Sequence, residues 1–138
     1  MTKAQLLDEL SHHTYVMIKP SALHGIGVFA LRPIPKGQRG IFSKGIGEWI
    51  PVSRKEVAQL PQHAIDLVEN YCLYDEENYF VPDYGFKVMD LVNFLNHADT
   101  PNIFSINDGE DFETLRDIAA GEELLINYGD IVEEPDEV

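Results

Sequence analysis

The chain has 138 residues and a formal net charge of −14, from 24 acids against 10 Lys and Arg. That length fits one domain with one modest core and is too short for two. The charge disfavours a nucleic acid backbone and either suits a basic polypeptide partner or serves solubility alone; no apolar run is long enough to cross a bilayer, and the opening residues lack the apolar region of a secretory signal.

Residues 1–13 read as a lead-in or a short amphipathic helix. Residues 14–18 and 26–31 are rich in β-formers and predict two strands, with glycines just before the second. Arg32 to Gly37 is a turn: Pro33 and Pro35 cannot donate to a ladder, and Gly37 permits positive φ. Residues 38–42 and 48–52 predict two more short strands around the Lys44–Gly47 turn. Ser53 and Glu56 have the spacing of a capping box, so a helix should run from Arg54 to about Leu60. Pro61 suits the first turn of a second helix, in which Ala64, Leu67, Val68 and Tyr71 repeat at amphipathic spacing. These two helices form an insert over residues 53–76.

Beyond the insert, Tyr79 to Pro82 predicts a short edge strand and residues 90–95 a single helical turn. Residues 102–107 and 112–118 predict a hairpin around Asn107–Glu110, and residues 124–128 a last strand. Residues 130–138 read as an acidic, solvated tail. Twelve of the acids lie at or after Asp108, opposed there only by Arg116. The single cysteine, Cys72, excludes an intramolecular disulfide and stands in an apolar run as a buried structural thiol. Glu122 and Glu123 are neighbours on a strand and face opposite ways, so they cannot share a site as an acid/base pair. One should anchor a turn or ion pair and the other face solvent. His12, His13, His24 and His63 have no metal-ligand spacing with His97, so no metal site is expected.

Three segments carry a resemblance. Residues 21–37 (Ser-Ala-Leu-His-Gly-Ile-Gly-Val-Phe-Ala-Leu-Arg-Pro-Ile-Pro-Lys-Gly), residues 93–102 (Asn-Phe-Leu-Asn-His-Ala-Asp-Thr-Pro-Asn) and residues 116–129 (Arg-Asp-Ile-Ala-Ala-Gly-Glu-Glu-Leu-Leu-Ile-Asn-Tyr-Gly) resemble, in order, the three signatures of the SET domain family. Asn93 and Ala98 depart from the family pattern, which usually has Arg and Ser there. The cysteine-rich segment that often follows the domain has no counterpart. The resemblance implies a mainly β fold with a small α insert, a SET-type β-clip of several short sheets over residues 14–129 with a C-terminal pseudoknot. It implies a protein-lysine N-methyltransferase using S-adenosylmethionine on a basic protein such as a histone or ribosomal tail. A catalytically silent SET-like module holding basic peptides is the alternative. The substrate channel would be closed by the chain's own tail or by a second subunit in a homodimer. A reducing compartment, cytoplasmic or nuclear, is the expected location.

The resemblance also implies a site. His24, Gly25, Ile26 and Gly27 would hold the cofactor, because backbone that closely approaches a ligand has no room for a Cβ; taken alone, the two glycines could equally shape a turn. Asn96 and His97 would hold the adenine, partly through backbone groups. Alone, Asn96 would read as a cap and His97 as a packed histidine. Tyr128 would be catalytic and also face the cofactor, where its hydroxyl orients the amine; an arbitrary Tyr-Gly would be core. Channel walls would come from Tyr71, Tyr74 and Phe80, with Tyr79 and Tyr84 as further candidates. Ile126 occupies the place that in relatives helps set the number of methyls.

Overall fold

The computed structural model describes residues 2–42, 48–107 and 109–130. The turn expected at residues 44–47 and the tail beyond residue 130 lie outside the described residues. Helix α1 (Lys3–His12) is closed at its start by a capping box between Thr2 and Gln5 and buries none of its residues. Strands β1 (Val16–Pro20) and β2 (Ile26–Ala30) form an antiparallel pair with Val16 opposite Ala30 and Pro20 opposite Ile26. Strand β3 (Trp49–Ser53) leads into helix α2 (Arg54–Ala58), which starts on the expected Ser53–Glu56 capping box. Helix α3 (Gln62–Tyr71) follows directly on Pro61. Then come β4 (Leu73–Tyr74), β5 (Asn78–Pro82), a 3-10 turn at Leu91–Phe94 and β6 (Asn96–His97). The hairpin β7 (Ile103–Ile106) and β8 (Asp111–Thr114), strand β9 (Glu123–Ile126) and a 3-10 turn at Tyr128–Asp130 complete the described chain.

The strands make three sheets, ordered β1-β2-β9-β6, β3-β5-β4 and β7-β8. β9 pairs antiparallel with β2 on one side and parallel with β6 on the other. This is the mainly β, several-sheet architecture with a helical insert that the sequence predicts. The main core gathers Val28, Ile34, Ile103, Ile118, Leu124 and Ile126, each at most 1% exposed. Completely burying such a side chain stabilises by about 1.5–3 kcal/mol. Ile34 and Ile118 form an isolated bridge that ties the Pro-rich turn to the segment before β9. A second cluster holds the insert in place: Val57 of α2, Val68 of α3, Cys72 and Tyr79.

Several expectations shift. β1 starts and ends two residues later than predicted, because Pro20 sits at the strand end opposite Ile26 while Tyr15 only lends its carbonyl to Leu31. Residues 38–42 are not a strand: Gly40 turns the chain at φ +68°, so that Gly37 and Gln38 bond to the Thr114 backbone. β5 is the central strand of its sheet rather than an edge, flanked by β3 and β4. Its Pro82 is tolerated because it lies at the strand end. In α3 the inward face is turned slightly: Ile65 and Val68 pack on Tyr79 and Val57, and Leu67 is exposed. β9 stops at Ile126, and Tyr128 opens a 3-10 turn instead of continuing the strand.

Candidate active site

The three signature segments meet around β9. Asn102 is buried, and its amide fastens the crossing: Nδ2 donates to the Glu123 carbonyl at 2.8 Å, and Oδ1 accepts from Leu125 N–H at 2.7 Å. Backbone N–H groups of Ala98 and Asn102 donate to the carbonyls of Ile126 and Leu125. Residues 96–102 therefore lie across the last strand, as the expected knot-like crossing requires.

The glycine-bearing loop is tied to this crossing by one amide and one carboxylate. Asn96 is buried, and its Nδ2 lies 3.0 Å from the His24 carbonyl, 3.2 Å from that of Ile26 and 2.8 Å from Glu123 Oε2. Glu123 Oε1 accepts from Ser21 Oγ at 2.8 Å, and Ser21 Oγ accepts from the Leu23 and His24 N–H groups. The two glycines have different reasons. Gly25 has φ +45° and nothing within 4 Å of where a Cβ would stand, so conformation selects it. Gly27 does not have positive φ, but a Cβ there would stand 2.1 Å from Glu123 Oε2. Space selects that glycine, and the space is filled by this chain's own carboxylate. The side chains of His24 and Ile26 are exposed.

Tyr128 lies on the other side of the crossing. Its hydroxyl donates to the Leu95 carbonyl at 2.6 Å, and its backbone N–H donates to His97 Nδ1 at 3.1 Å. Nδ1 can accept only without a proton, so Nε2 carries the proton and donates to Asp99, 3.1 Å away. Burial, and then the neighbouring Tyr74, push the Tyr128 phenol above its usual pKa, so it remains a neutral phenol. The rings of His97 and Tyr74 meet Tyr128 edge-on, at centroid distances of 5.3 and 6.3 Å.

The other expected channel residues divide. Tyr74 touches both Tyr128 and Tyr79. Tyr71 stacks edge-on with Phe94 and tilts against Phe86, one step farther out. Phe80 alternates with Tyr79 along β5, so it points away from the Tyr74–Tyr79 pair. Tyr84 is half-buried, and burial followed by Asp90 and Asp83 raises its pKa. Ile126 is fully enclosed in the main core. Arg54, which sequence reasoning passed over, lies across the faces of Tyr74 and Tyr79, 5.1 and 4.9 Å from their centroids.

Of the glutamate pair, Glu122 anchors a turn as expected. It is ion-paired with Arg116 and accepts from Ala119 N–H, and Arg116 first and that N–H second hold its carboxyl below the usual range. Glu123 does not face solvent: it is half-buried under the Ser21–Gly27 loop. Its position depends on Gly27, two residues along β2 from its register partner Phe29, where the missing Cβ leaves room for a carboxylate. Asn93 contributes locally, its Oδ1 accepting from Asp90 N–H and its Nδ2 donating to the Tyr71 carbonyl. Cys72 is buried, and desolvation pushes its thiol up to about 12, which fits a structural role.

The three signature segments thus interlock around β9. The SET domain profile matches residues 25–129, and the chain belongs to the SET domain family. The fold is similar to that of a Plasmodium falciparum protein described as a candidate histone methyltransferase: 22% identity, TM-score 0.50, covering 84% of this chain and 94% of that one. It is also similar to the Chaetomium thermophilum Polycomb Repressive Complex 2 in its apo, autoinhibited state, at 25% identity and TM-score 0.59, covering 95% of this chain but 19% of that one. The same complex bound to S-adenosylmethionine aligns at 26% identity and TM-score 0.54, over 88% of this chain and 16% of that one. This chain thus spans about a fifth of the length of the fungal protein. No curated protein matches the sequence. Among the described residues, no helix is long and apolar enough to cross a membrane.

Proposed function

We propose that this chain is an S-adenosylmethionine-dependent protein-lysine N-methyltransferase acting on a basic segment of another protein. The observation that carries the reading is Tyr128: a neutral phenol fixed at its hydroxyl by Leu95 and at its backbone N–H by His97, the residues on either side of Asn96. Membership of the SET family supports it, as do the S-adenosylmethionine bound to one similar fungal complex and the histone methyltransferase description of the Plasmodium protein.

The residues fit the cofactor on two grounds. Open space beside Gly25 leaves that backbone approachable. The adjoining Glu123 carboxylate forms no salt bridge among the described residues, which suits a ligand carrying sulfonium and ammonium charges. His24, Gly25, Ile26 and Gly27, with Asn96 and His97, would hold it. Asn96 would act through its backbone and Oδ1, because Nδ2 is already shared among three acceptors. When bound, the cofactor supplies an electrophilic methyl group.

The protein's part is alignment, because displacement at carbon requires the amine to be in line. The Tyr128 hydroxyl spends its proton on the Leu95 carbonyl and keeps its lone pairs to orient the incoming amine. Tyr74 supplies an aromatic face for the lysine stem. A dry aromatic wall disfavours the ammonium and so helps the lysine lose its proton. The net charge of −14 suits a basic substrate segment.

The test is transfer of label from methyl-labelled S-adenosylmethionine to core histones and ribosomal proteins, with Tyr128→Phe alongside. Label on lysine, reduced by roughly 100-fold in the variant, is the expected result, given the cost of losing a preorganised group. Full activity of the variant refutes the role of Tyr128. No transfer and no calorimetric cofactor uptake refute the enzyme and favour a silent peptide-binding module.

A further inference from the structure

We propose that Glu123 is a positioning residue of the cofactor loop, a carboxylate clamp that locks the Ser21–Gly25 turn to the Asn96 amide. The inference rests on the methyltransferase reading above and deepens it. Its basis is a pair of contacts that converge on one side chain from two distant parts of the chain.

Glu123 is the first residue of β9. One oxygen receives the Ser21 hydroxyl at 2.8 Å and the other the Asn96 amide at 2.8 Å. Each of those groups passes the constraint on to the loop. Ser21 Oγ accepts from Leu23 N–H at 3.0 Å, its backbone N–H donates to the Gly25 carbonyl at 2.8 Å, and Asn96 holds the carbonyls of His24 and Ile26. The turn is thus held from both of its ends. The Leu23 N–H and the His24 and Ile26 carbonyls each lead to the same carboxylate within one further hydrogen bond.

The chemistry requires a carboxylate. Glu123 acts only as an acceptor, and both of its partners are donors. A glutamine could keep the Asn96 contact through its oxygen, but its amide would then face Ser21 as a second donor, and the hydroxyl would have to turn away. Gly27 completes the arrangement, because its missing Cβ is what lets Oε2 reach Asn96. A side chain that only filled space would need neither the charge nor two oxygens directed at two separate elements.

The clamp also gives Asn96 a fixed orientation. With Nδ2 held among three acceptors, Oδ1 is turned away from the loop and remains available as an acceptor. Without Glu123, the amide could flip or swing, and the His24 and Ile26 carbonyls would lose a common donor.

The test uses the whole chain as Glu123→Gln and Glu123→Ala, with Glu122→Ala as a neighbouring control outside the clamp. S-adenosylmethionine affinity is measured by calorimetry, and backbone hydrogen exchange of Leu23 and His24 is measured without cofactor. Hydrogen bonds to a charged group are worth enough that Glu123→Ala should weaken cofactor binding by about 10-fold or more. Glu123→Gln should fall between it and the parent. Exchange at Leu23 and His24 should speed up in Glu123→Ala, and thermal melts identify any variant that has lost the fold. Glu122→Ala should lower the melting temperature while leaving affinity within about twofold. If the parent binds and Glu123→Ala binds equally well with unchanged exchange, the clamp is refuted and the enzyme reading stands. If Glu122→Ala weakens binding as much as Glu123→Ala, the effect is general destabilisation and the proposal is overturned. If the parent takes up no cofactor, the enzyme reading fails and the clamp's purpose fails with it.

Discussion

Gly27→Ala separates space from conformation at the glycine pair. Alanine fits the backbone angles at position 27, which are not in the left-handed region, but its Cβ would stand 2.1 Å from Glu123 Oε2, 2.8 Å from Cδ and 3.0 Å from Asn96 Nδ2. The carboxylate must leave, and with it go the bonds from Ser21 and Asn96. Two charge-assisted bonds in a fully buried site would cost about 3–6 kcal/mol; because Glu123 is half-buried and recovers water, about 2–3 kcal/mol remains. For a chain of this size that is a drop of roughly 10 °C in melting temperature. The assay is a thermal or urea melt of Gly27→Ala in the parent and in Glu123→Ala. In the second background the largest overlap is already gone, so the penalty should shrink by half or more. Gly25→Ala, by contrast, meets no atom and should cost about 1 kcal/mol from its positive φ, independently of Glu123. A Gly27→Ala protein that melts within a degree or two of the parent would refute the steric reasoning, as would a penalty unchanged by Glu123→Ala.

Two further predictions concern stability. Asn102→Ala should lower urea stability by about 2–4 kcal/mol, because it leaves Leu125 N–H and the Glu123 carbonyl without partners at the centre of the fold; loss of less than about 1 kcal/mol would show that water or backbone movement replaces the amide. Cys72 has a folded pKa of about 12 against 9.0 for the free group, so its contribution is intact below pH 9 and is lost as pH rises toward 12. Melts between pH 8 and 11 should decline less steeply in Cys72→Ala than in the parent, and the native thiol should resist alkylation at pH 8 until denaturant is added.

What was legible in the sequence was mostly local or carried by motif. The Ser53–Glu56 box, the hairpin through Asn107 and the turn at Leu91–Phe94 depend on residues a few positions apart, and all three are present. The contacts of Asn96 with His24 and Ile26, and of His97 with Tyr128, join segments that only the family resemblance had grouped, since no periodicity connects positions so far apart. Strand order escaped: Pro82 suggested an edge, whereas β5 lies between two strands that accommodate a terminal proline. Glu123 escaped for a similar reason. Glu122 lies just before β9 rather than on it, so strand alternation does not separate the pair, and the room for Glu123 under the loop comes from the glycine of a strand 96 residues earlier. The inward face of α3 differs from the expected one in that Ile65 packs against the second cluster while Leu67 is exposed.

β9 also has a consequence in time. It is flanked by β2, nearly a hundred residues upstream, and by β6, and it carries both the carboxylate under the loop and the short lead to Tyr128. Contacts of such long range form late, because closing the loops costs entropy before any contact repays it. On a ribosome, the first two signature segments would emerge well before the strand that fastens them together. Until then the Ser21 and Asn96 side chains lack their shared carboxylate, so the crossing should form in one step with β9. A growing chain of this protein therefore lacks the crossing until β9 has been made.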